Sequence, residues 1–263
     1  MYKEMCEKVA VVTGGGSGLG RSICLKLAES GAFIVPVGRK MEPLEETVEM
    51  IASNGGNAFA VTADITDSAQ VKTLAEKVME HYGHIDYLVN NAGMAIESRL
   101  GLRICETDEE LWDQSIELNL NSVYRCCKYI IPCMLEGGFG RIVNISSVAG
   151  YFPAFGASYA AAKAGVIALT KSIAMQYCDD NIRCNTVCPG PMKTPHGMAA
   201  KKEGTMYSGP QPRVRMIDRV AEPEEMANAV AFLLSEEASF INATEIKVDG
   251  GSMALSVSIP PRK

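Results

Sequence analysis

The sequence predicts an α/β protein with a doubly wound parallel sheet, three layers deep, with helices on both faces. Seven short runs rich in β-branched residues are bounded by Gly, Pro or Asn, and segments of helical length separate them. Strands that alternate with helices need crossover connections, which give a parallel sheet covered on both faces. Ligands of such sheets bind beyond the carboxyl ends of the strands, so the residues after each run are candidates for a functional site.

The predicted elements alternate in a regular order along the chain. Each run precedes a helical segment, and the last run closes the sheet. In order they are KVAVVT and 19–31, FIVPVG and 42–54, AFAVTA and 68–82, IDYLVN and 108–136, GRIVNIS and 158–178, NIRCNTV and 223–236, and finally TEIKV.

One segment, from Met192 to about Arg219, breaks this alternation. It is long, weakly periodic and punctuated by Pro and Gly, as a binding loop would be. The chain of 263 residues has the length of one large α/β domain. We therefore expect a single domain over 1–263, with a lid at about 192–219.

Composition and charge exclude several classes of function. The net charge of −6 argues against nucleic acid as a partner, because phosphates need a basic surface. No apolar run approaches the roughly 18 residues of a spanning helix, and the N-terminus lacks an apolar signal core, so we expect a cytoplasmic protein without membrane contact. The nine cysteines include no CxxC pair and no ligand spacing, which predicts neither a disulfide framework nor a metal site.

A glycine-rich turn, TGGGSGLG, follows the first strand and precedes the first helix. Its glycines Gly14, Gly18 and Gly20 form the pattern G-x-x-x-G-x-G. A turn without side chains lets backbone N–H groups approach a pyrophosphate, whose charge the following helix N-terminus favours. A plain tight turn is the alternative, but the place between strand and helix favours dinucleotide binding.

The residues after the second strand bear on which dinucleotide is bound. An acid there would bind the ribose hydroxyls of NAD, whereas a basic residue accommodates the 2′-phosphate of NADP. This strand ends in Gly38, Arg39 and Lys40, with no acid. The sequence therefore favours NADP(H) over NAD(H), with solvated loop charges as the alternative.

Two Tyr-x-x-x-Lys pairs occur in the chain, so the spacing alone cannot identify a site. Tyr159 and Lys163 follow a strand that ends in Ser146 and Ser147, and a phenol and an ammonium four residues apart share one helix face. Tyr124 and Lys128 have no such serines upstream, and we expect them on a helix surface or at an interface.

Together these motifs resemble the short-chain dehydrogenase/reductase family. They are TGGGSGLG, NNAG at 90–93, the serine pair, YAAAK at 159–163, PGPMKT and the late VDGG, and their order covers essentially the whole chain. The resemblance implies a Rossmann-like fold and hydride transfer between a nicotinamide and a secondary alcohol or ketone, such as a 3-oxoacyl thioester or a hydroxysteroid. It also implies a homotetramer formed through 108–136 and 158–178. A non-catalytic nucleotide sensor or scaffold is the alternative.

The resemblance also implies the catalytic roles. Tyr159 would be the general acid/base, Lys163 would bind the nicotinamide ribose and lower the pKa of the phenol from about 10, and Asn119 would hold a water of the proton relay. For the serine, the family's usual distance from the tyrosine reaches Ser146, whereas counting along the strand selects Ser147. We favour Ser147, because strand pleating fixes side-chain orientation while a loop can absorb a deletion.

The cofactor-binding residues implied by the resemblance come from several strand ends. Asp64 and Ile65 would contact the adenine, although Asp64 could instead cap the following helix. The others are Gly14, Ser17, Gly18, Leu19, Gly20 and Arg39 near the phosphates, Asn91, Ala92 and Gly93 beneath the adenosine ribose, Tyr159 and Lys163, and Pro189, Gly190, Met192 and Thr194 toward the carboxamide.

The irregular segment resembles the substrate lid of the family and is basic. From 193 to 219 it has six cations and two acids, a net charge of +4: Lys193, Lys201, Lys202, Arg213, Arg215 and Arg219 against Glu203 and Asp218. This asymmetry predicts an anionic or carrier-bound substrate, with a solvated loop as the alternative.

Overall fold

The computed structural model describes residues 2–96, 103–152, 156–193 and 215–254. Its eight strands form one parallel sheet in the order β3-β2-β1-β5-β6-β7-β8, with β4 also paired to β2. The strands are β1 Val9–Thr13, β2 Phe33–Gly38, β3 Asn57–Ala58, β4 Val61–Thr62, β5 Tyr87–Asn90, β6 Gly140–Ile145, β7 Ile182–Pro189 and β8 Glu245–Val248. The helices are α1 Gly18–Ala28, α2 Met41–Ser53, α3 Ser68–Tyr82, α4 Glu109–Ile116, α5 Ser122–Gly137, α6 Ala157–Gln176 and α7 Pro223–Leu234.

Apolar side chains cover both faces of the sheet, which confirms the predicted fold class. On one face α3, α5 and α6 pack through residues such as Leu74, Ile130 and Val166. On the other face α1, α2 and α7 pack, with Ile23 and Val230 among their buried residues. Successive residues of one strand join opposite clusters, so the strands need continuous apolar runs.

The third predicted strand is divided into two. β3 and β4 both pair with β2 in one register, and the interruption lies opposite Pro36. Proline has no N–H to donate, so the ladder loses a hydrogen bond there. The division follows from a residue of the neighbouring strand, which AFAVTA itself does not reveal.

The long predicted helix at 108–136 is also interrupted. A π-helical turn, Glu117–Asn121, separates α4 from α5. Such turns occur frequently at functional sites, where they rotate side chains out of the α-helical register. This one contains Asn119, which the sequence analysis assigned to the proton relay.

Among the described residues, no helix is long and apolar enough to cross a membrane. All nine cysteines are free thiols. In the same part of the chain, no group of three His, Cys, Asp or Glu side chains could hold a metal ion.

Candidate functional site

A cavity of about 780 Å³ opens at the carboxyl ends of the central strands. It brings together almost all residues that the sequence predicted for the site: Gly14, Ser17, Gly18, Leu19, Gly20, Arg39, Asp64, Ile65, Asn91, Ala92, Gly93, Ser146, Ser147, Tyr159, Lys163, Pro189, Gly190 and Met192. Asn119 is fully buried beside this cavity. Thr194 lies outside the described residues.

The glycine-rich turn forms a cradle that side chains would fill. Gly14 and Gly18 have φ values of +70° and +51°, in the left-handed region that favours glycine. A Cβ atom on Gly20 would lie 2.0 Å from the carbonyl oxygen of Gly14. Ser17 precedes α1, but among the described contacts its side chain makes no cap hydrogen bond, which leaves first-turn N–H groups for an anion. The turn therefore fits a dinucleotide pyrophosphate.

Two residues that the sequence analysis missed hold this turn from behind. The Thr47 hydroxyl donates to the carbonyl oxygen of Gly15 at 3.0 Å, and Arg21 donates through Nη2 to that of Gly16 and through Nε to Thr47. Thr47 is fully buried although it lies in α2, far from the turn in sequence. Arg21 directly follows the turn, whereas no local pattern could have identified Thr47.

The NNAG segment is fixed to the first strand. The backbone N–H groups of Asn91 and Ala92 donate to the Thr13 hydroxyl at 2.9 and 3.0 Å, and the Asn91 amide donates to the Thr13 carbonyl at 2.8 Å. The Asn91 side chain thus positions the segment. Gly93 must be small, because its Cβ would lie 2.7 Å from Asn119 Oδ1 and 3.1 Å from Lys163 Nζ.

Asp64 does not cap the following helix, so that alternative is wrong. The N-cap of α3 is Asp67, whose carboxylate accepts from the N–H groups of Ala69 and Gln70. Asp64 instead accepts from the backbone N–H and the hydroxyl of Thr66 at 3.0 and 2.7 Å. These bonds hold the pKa of Asp64 below its ordinary value and fix an ionised carboxylate on the cavity wall.

The two candidate serines have different partners. Ser147 shares a hydrogen bond with the Tyr159 hydroxyl, and its own oxygen accepts from the Ala149 N–H at 3.1 Å. Ser146 donates to the main-chain carbonyl of Lys163 at 2.7 Å. Ser147 therefore contacts the reactive phenol, while Ser146 ties the end of β6 to α6.

Lys163 is buried below Tyr159. Its Nζ lies 5.6 Å from the centroid of the tyrosine ring and donates to the Ile145 carbonyl at 3.0 Å. In the second pair, Lys128 Nζ lies at a similar 5.8 Å from the ring of Tyr124. The two pairs have the same spacing but differ in burial. Tyr124 of the second pair is 50% exposed, whereas Lys163 of the first pair is only 3% exposed.

The expected lowering of the Tyr159 pKa is wrong for the protein on its own. Burial raises the pKa of Tyr159 to about 12, against the opposing effect of the hydrogen bond from Ser147. Burial also lowers the pKa of Lys163 to about 8, because a low-dielectric site disfavours charge on both groups. A nearby ammonium favours the phenolate, whereas desolvation disfavours it, and in the protein alone desolvation dominates.

Asn119 uses its side chain to position the neighbouring loop. Its amide nitrogen donates to the carbonyls of Met94 and Ser115 at 2.9 and 3.0 Å, and its Oδ1 accepts from the Met94 N–H at 3.0 Å. Both amide hydrogens are used in these bonds. The side chain thus fixes Met94 on the cavity wall, and the water of the relay stays a prediction.

The lid segment is described only at its ends. Lys193 N–H donates to the Ala221 carbonyl at 2.9 Å, so the chain returns to its starting point. Lys193 pairs with Glu222, and Arg219 makes two bonds of 2.5 and 2.7 Å to Glu225. Acids just beyond the segment therefore balance two of its six cations, which weakens the charge argument. Residues 194–214 of the lid lie outside the described part of the chain.

The cavity wall also includes residues outside the motifs quoted above. They come from the loop after β5, from α4 and from the π turn: Met94, Ala95, Ile96, Gln114, Glu117 and Leu118. Positions 114, 117 and 118 repeat at helical spacing before Asn119. This periodicity is the signal that could have identified these three residues.

Several known proteins are similar to this chain in sequence and in structure. Residues 14–253 match the model of a family described as enoyl-(acyl carrier protein) reductase. A cis-4-hydroxycyclohexanecarboxylate dehydrogenase of Sinomonas cyclohexanicum is 40% identical over 258 residues, 97% of this chain and 100% of its own. The 3-oxoacyl-[acyl-carrier-protein] reductase FabG of Thermotoga maritima is 37% identical over 247 residues, 93% and 97%. The crystal structure of levodione reductase superposes with a TM-score of 0.88 at 34% identity, covering 95% and 99%.

The chain belongs to the short-chain dehydrogenase/reductase family. It is accordingly an NAD(P)-dependent oxidoreductase that interconverts secondary alcohols and ketones, and the non-catalytic alternative is not favoured. The family resemblance predicted from the motifs is confirmed.

Proposed function

We propose that this enzyme uses NADP(H) in preference to NAD(H), with Tyr159 as general acid/base and Ser147 as its hydroxyl partner. The observation that carries the proposal is the pair of half-buried Tyr159, hydrogen-bonded to Ser147, and buried Lys163, which face the same cavity as the glycine cradle. A bound nicotinamide would supply or accept the hydride. Assaying NADPH and NADH oxidation over a panel of ketones, acyl thioesters and steroids tests cofactor and substrate class together.

In the reductive direction Tyr159 would donate its proton to the carbonyl oxygen. Because burial raises its pKa, the phenol keeps that proton at neutral pH, which is the form a general acid needs. Ser147 would hold the substrate oxygen beside the phenol, and Lys163 would donate to the nicotinamide ribose. Lys163 is oriented for this by its bond to the Ile145 carbonyl.

The assignment of Ser147 rather than Ser146 can be tested by comparing the alanine variants of the two serines. Ser147→Ala should lower kcat by about 100-fold, because it removes a hydrogen bond made to the reacting oxygens. Ser146→Ala should retain most activity and lose about 1 kcal/mol of stability, the usual contribution of one intramolecular hydrogen bond. Steady-state kinetics and urea denaturation of both variants measure this. Loss of turnover in Ser146→Ala alone, with the fold intact, would reverse the assignment.

The NADP(H) preference rests on Arg39, which is exposed at the end of β2 and lines the cavity. Arg39→Ser should raise KM for NADPH by about 10- to 100-fold, the effect of one charge-assisted hydrogen bond, and change KM for NADH little. Lys40→Ser is the matched control, since Lys40 is also exposed but is absent from the described cavity wall. Equal effects of Arg39→Ser on both cofactors would contradict the preference.

The substrate side of the cavity is apolar. Met94, Ile96, Leu118, Val148 and Met192 line it. We propose a compact secondary alcohol or ketone with an apolar body. An anionic or carrier-bound substrate is the second candidate, favoured by the basic lid and by the carboxylate in the name of the Sinomonas relative.

The homotetramer stays a prediction. Its proposed surfaces on α5 and α6 expose apolar side chains, with Tyr124 at 50% and Met175 at 71% exposure. Exposed apolar side chains of this size on adjacent helices are typical of subunit interfaces.

A further inference from the structure

The π turn between α4 and α5 is connected to the opposite wall of the cavity by one side chain, Arg125. Its Nη1 lies 2.5 Å from Glu117 Oε1, and its Nε donates to the Ser68 hydroxyl at 3.2 Å. Glu117 is the first residue of the π turn, and Ser68 is the first residue of α3. Arg125 thus joins two elements that are far apart in sequence.

Each end of this connection adjoins a different part of the cavity. Asp64, Ile65 and Thr66, just before α3, line the part proposed to take the adenine. At the other end Glu117 itself lines the cavity, and the π turn holds Asn119, whose amide fixes Met94. Arg125 is therefore a polar contact between the adenine side and the side that faces the reacting groups.

The Glu117 carboxylate also closes the π turn. Its Oε2 accepts from the Asn121 amide at 2.7 Å, while Oε1 faces Arg125. Partial burial raises the pKa of Glu117, but the bonds from Asn121 and Arg125 outweigh burial and hold it below its ordinary value. The carboxylate is therefore ionised at neutral pH and bridges the first and last residues of the turn.

The residues of a π turn can instead adopt the ordinary α-helical conformation. Rewinding it by one residue would rotate Asn119 by about 100° about the helix axis. The amide of Asn119 would then leave Met94, and the cavity wall beside the catalytic residues would shift. Contacts that hold the turn in its π form decide where this wall lies.

We propose that Arg125 is a positioning residue that couples occupation of the adenine side of the cavity to the π turn and hence to the wall near Tyr159. The proposal rests on the proposed function, with the adenine near Asp64 and Ile65 and the nicotinamide near Tyr159 and Lys163. When the segment at 64–68 tightens on an adenosine, Arg125 transmits the change to Glu117. Arg125 itself contacts neither cofactor nor substrate in this scheme.

The single tryptophan gives a reporter for this coupling. Trp112 is half-buried in α4, which packs directly against the π turn. Adenosine 5′-diphosphate carries the adenosine part that NAD and NADP share, and it cannot reach the nicotinamide end. Its effect on Trp112 emission therefore measures transmission from one end of the cavity to the other without any turnover.

We expect saturating ADP to change Trp112 emission in the wild type and in Lys128→Ala, a control that removes another cation from α5. Arg125→Ala should lose most of this change, while calorimetry gives an ADP Kd within about threefold of wild type, because Arg125 does not contact the ligand in this scheme. Arg125→Lys, which keeps the charge but not the fork, should retain part of the response. With saturating NADPH, kcat of Arg125→Ala should fall about 10- to 100-fold, as misplacement remote from the chemistry can cause, with little change in KM.

The possible outcomes distinguish failure of the coupling from failure of the cofactor orientation on which the coupling rests. A full Trp112 response in Arg125→Ala, or none in the wild type despite calorimetric binding of ADP, would overturn the coupling and leave the cofactor orientation in place. Failure of the wild type to bind ADP at all would overturn both. A lowered Tm of Arg125→Ala with an unchanged Trp112 response would reduce Arg125 to a structural contact and also contradict the proposal.

Discussion

Replacing Tyr159 by Phe should lower kcat by about 10²- to 10⁴-fold, the range for loss of a general acid/base, and leave the fold intact. The change removes one hydroxyl and keeps the ring, whose surroundings include Lys163 Nζ at 5.6 Å from its centroid. Cofactor affinity should change little, because the ribose contact belongs to Lys163 in the proposed site. Steady-state kinetics with NADPH, a fluorescence titration of cofactor binding and far-ultraviolet circular dichroism measure the three quantities.

The chain provides its own control for this experiment. Tyr124→Phe changes the same atom in a pair with the same sequence spacing and a similar 5.8 Å between the lysine nitrogen and the ring centroid. Tyr124 is half-exposed on α5 and is absent from the described cavity wall, so its variant should keep wild-type kcat. Equal losses in the two variants would indicate a general effect of removing a phenol, and a fully active Tyr159→Phe would remove Tyr159 from the chemistry.

Local patterns predicted most of the fold and most of the cavity wall. The central strands β1 and β5 are runs of mainly apolar residues buried on both faces, so KVAVVT and IDYLVN can be recognised as strands without reference to any neighbour. The residues after these runs gather at one edge because parallel strands share their carboxyl ends. Ser147 could be preferred over Ser146 from strand alternation, and the structure places it beside the Tyr159 hydroxyl.

The predictions that failed concern features that depend on contacts between distant segments. The division of the third strand comes from Pro36 on its neighbour, and Thr47 supports the glycine turn from the distant helix α2. The π turn around Asn119 has no signature in the helical pattern, since its apolar positions continue into α5. Counting charges inside 193–219 could not include the pairing of its ends with acids that follow it.

The prediction for the pKa of Tyr159 failed for a different reason, because the direction of the pKa shift depends on burial. Spacing places a cation near the phenol in both Tyr-x-x-x-Lys pairs, and only the fold decides how much water remains around them. For Tyr159 desolvation exceeds the opposing hydrogen bond, so in the isolated protein the phenol stays protonated at neutral pH. Carbonyl reduction uses that form directly, whereas alcohol oxidation needs the phenolate and hence a further positive charge in the site.

Replacing Gly20 by Ala should destabilise the protein by about 3 kcal/mol or more, at or above the upper end for overpacking, and should impair cofactor binding. The added Cβ would lie 2.0 Å from the Gly14 carbonyl oxygen, and backbone cannot move aside as a flexible side chain can. Gly14 would have to shift, and it belongs to the turn proposed to bind the pyrophosphate. Urea denaturation and an NADPH titration measure the two effects.

Gly137→Ala is the matched control, because nothing in the described structure lies within 4 Å of the added Cβ. This glycine closes α5, where alanine should be neutral or gain about 0.5–1 kcal/mol from its higher helix propensity. Opposite signs for the two variants would show that close backbone approach, rather than glycine flexibility in general, requires Gly20. If Gly20→Ala kept wild-type stability and NADPH affinity, α1 would have to begin farther from the turn than the structure places it, and the pyrophosphate would need another binding site.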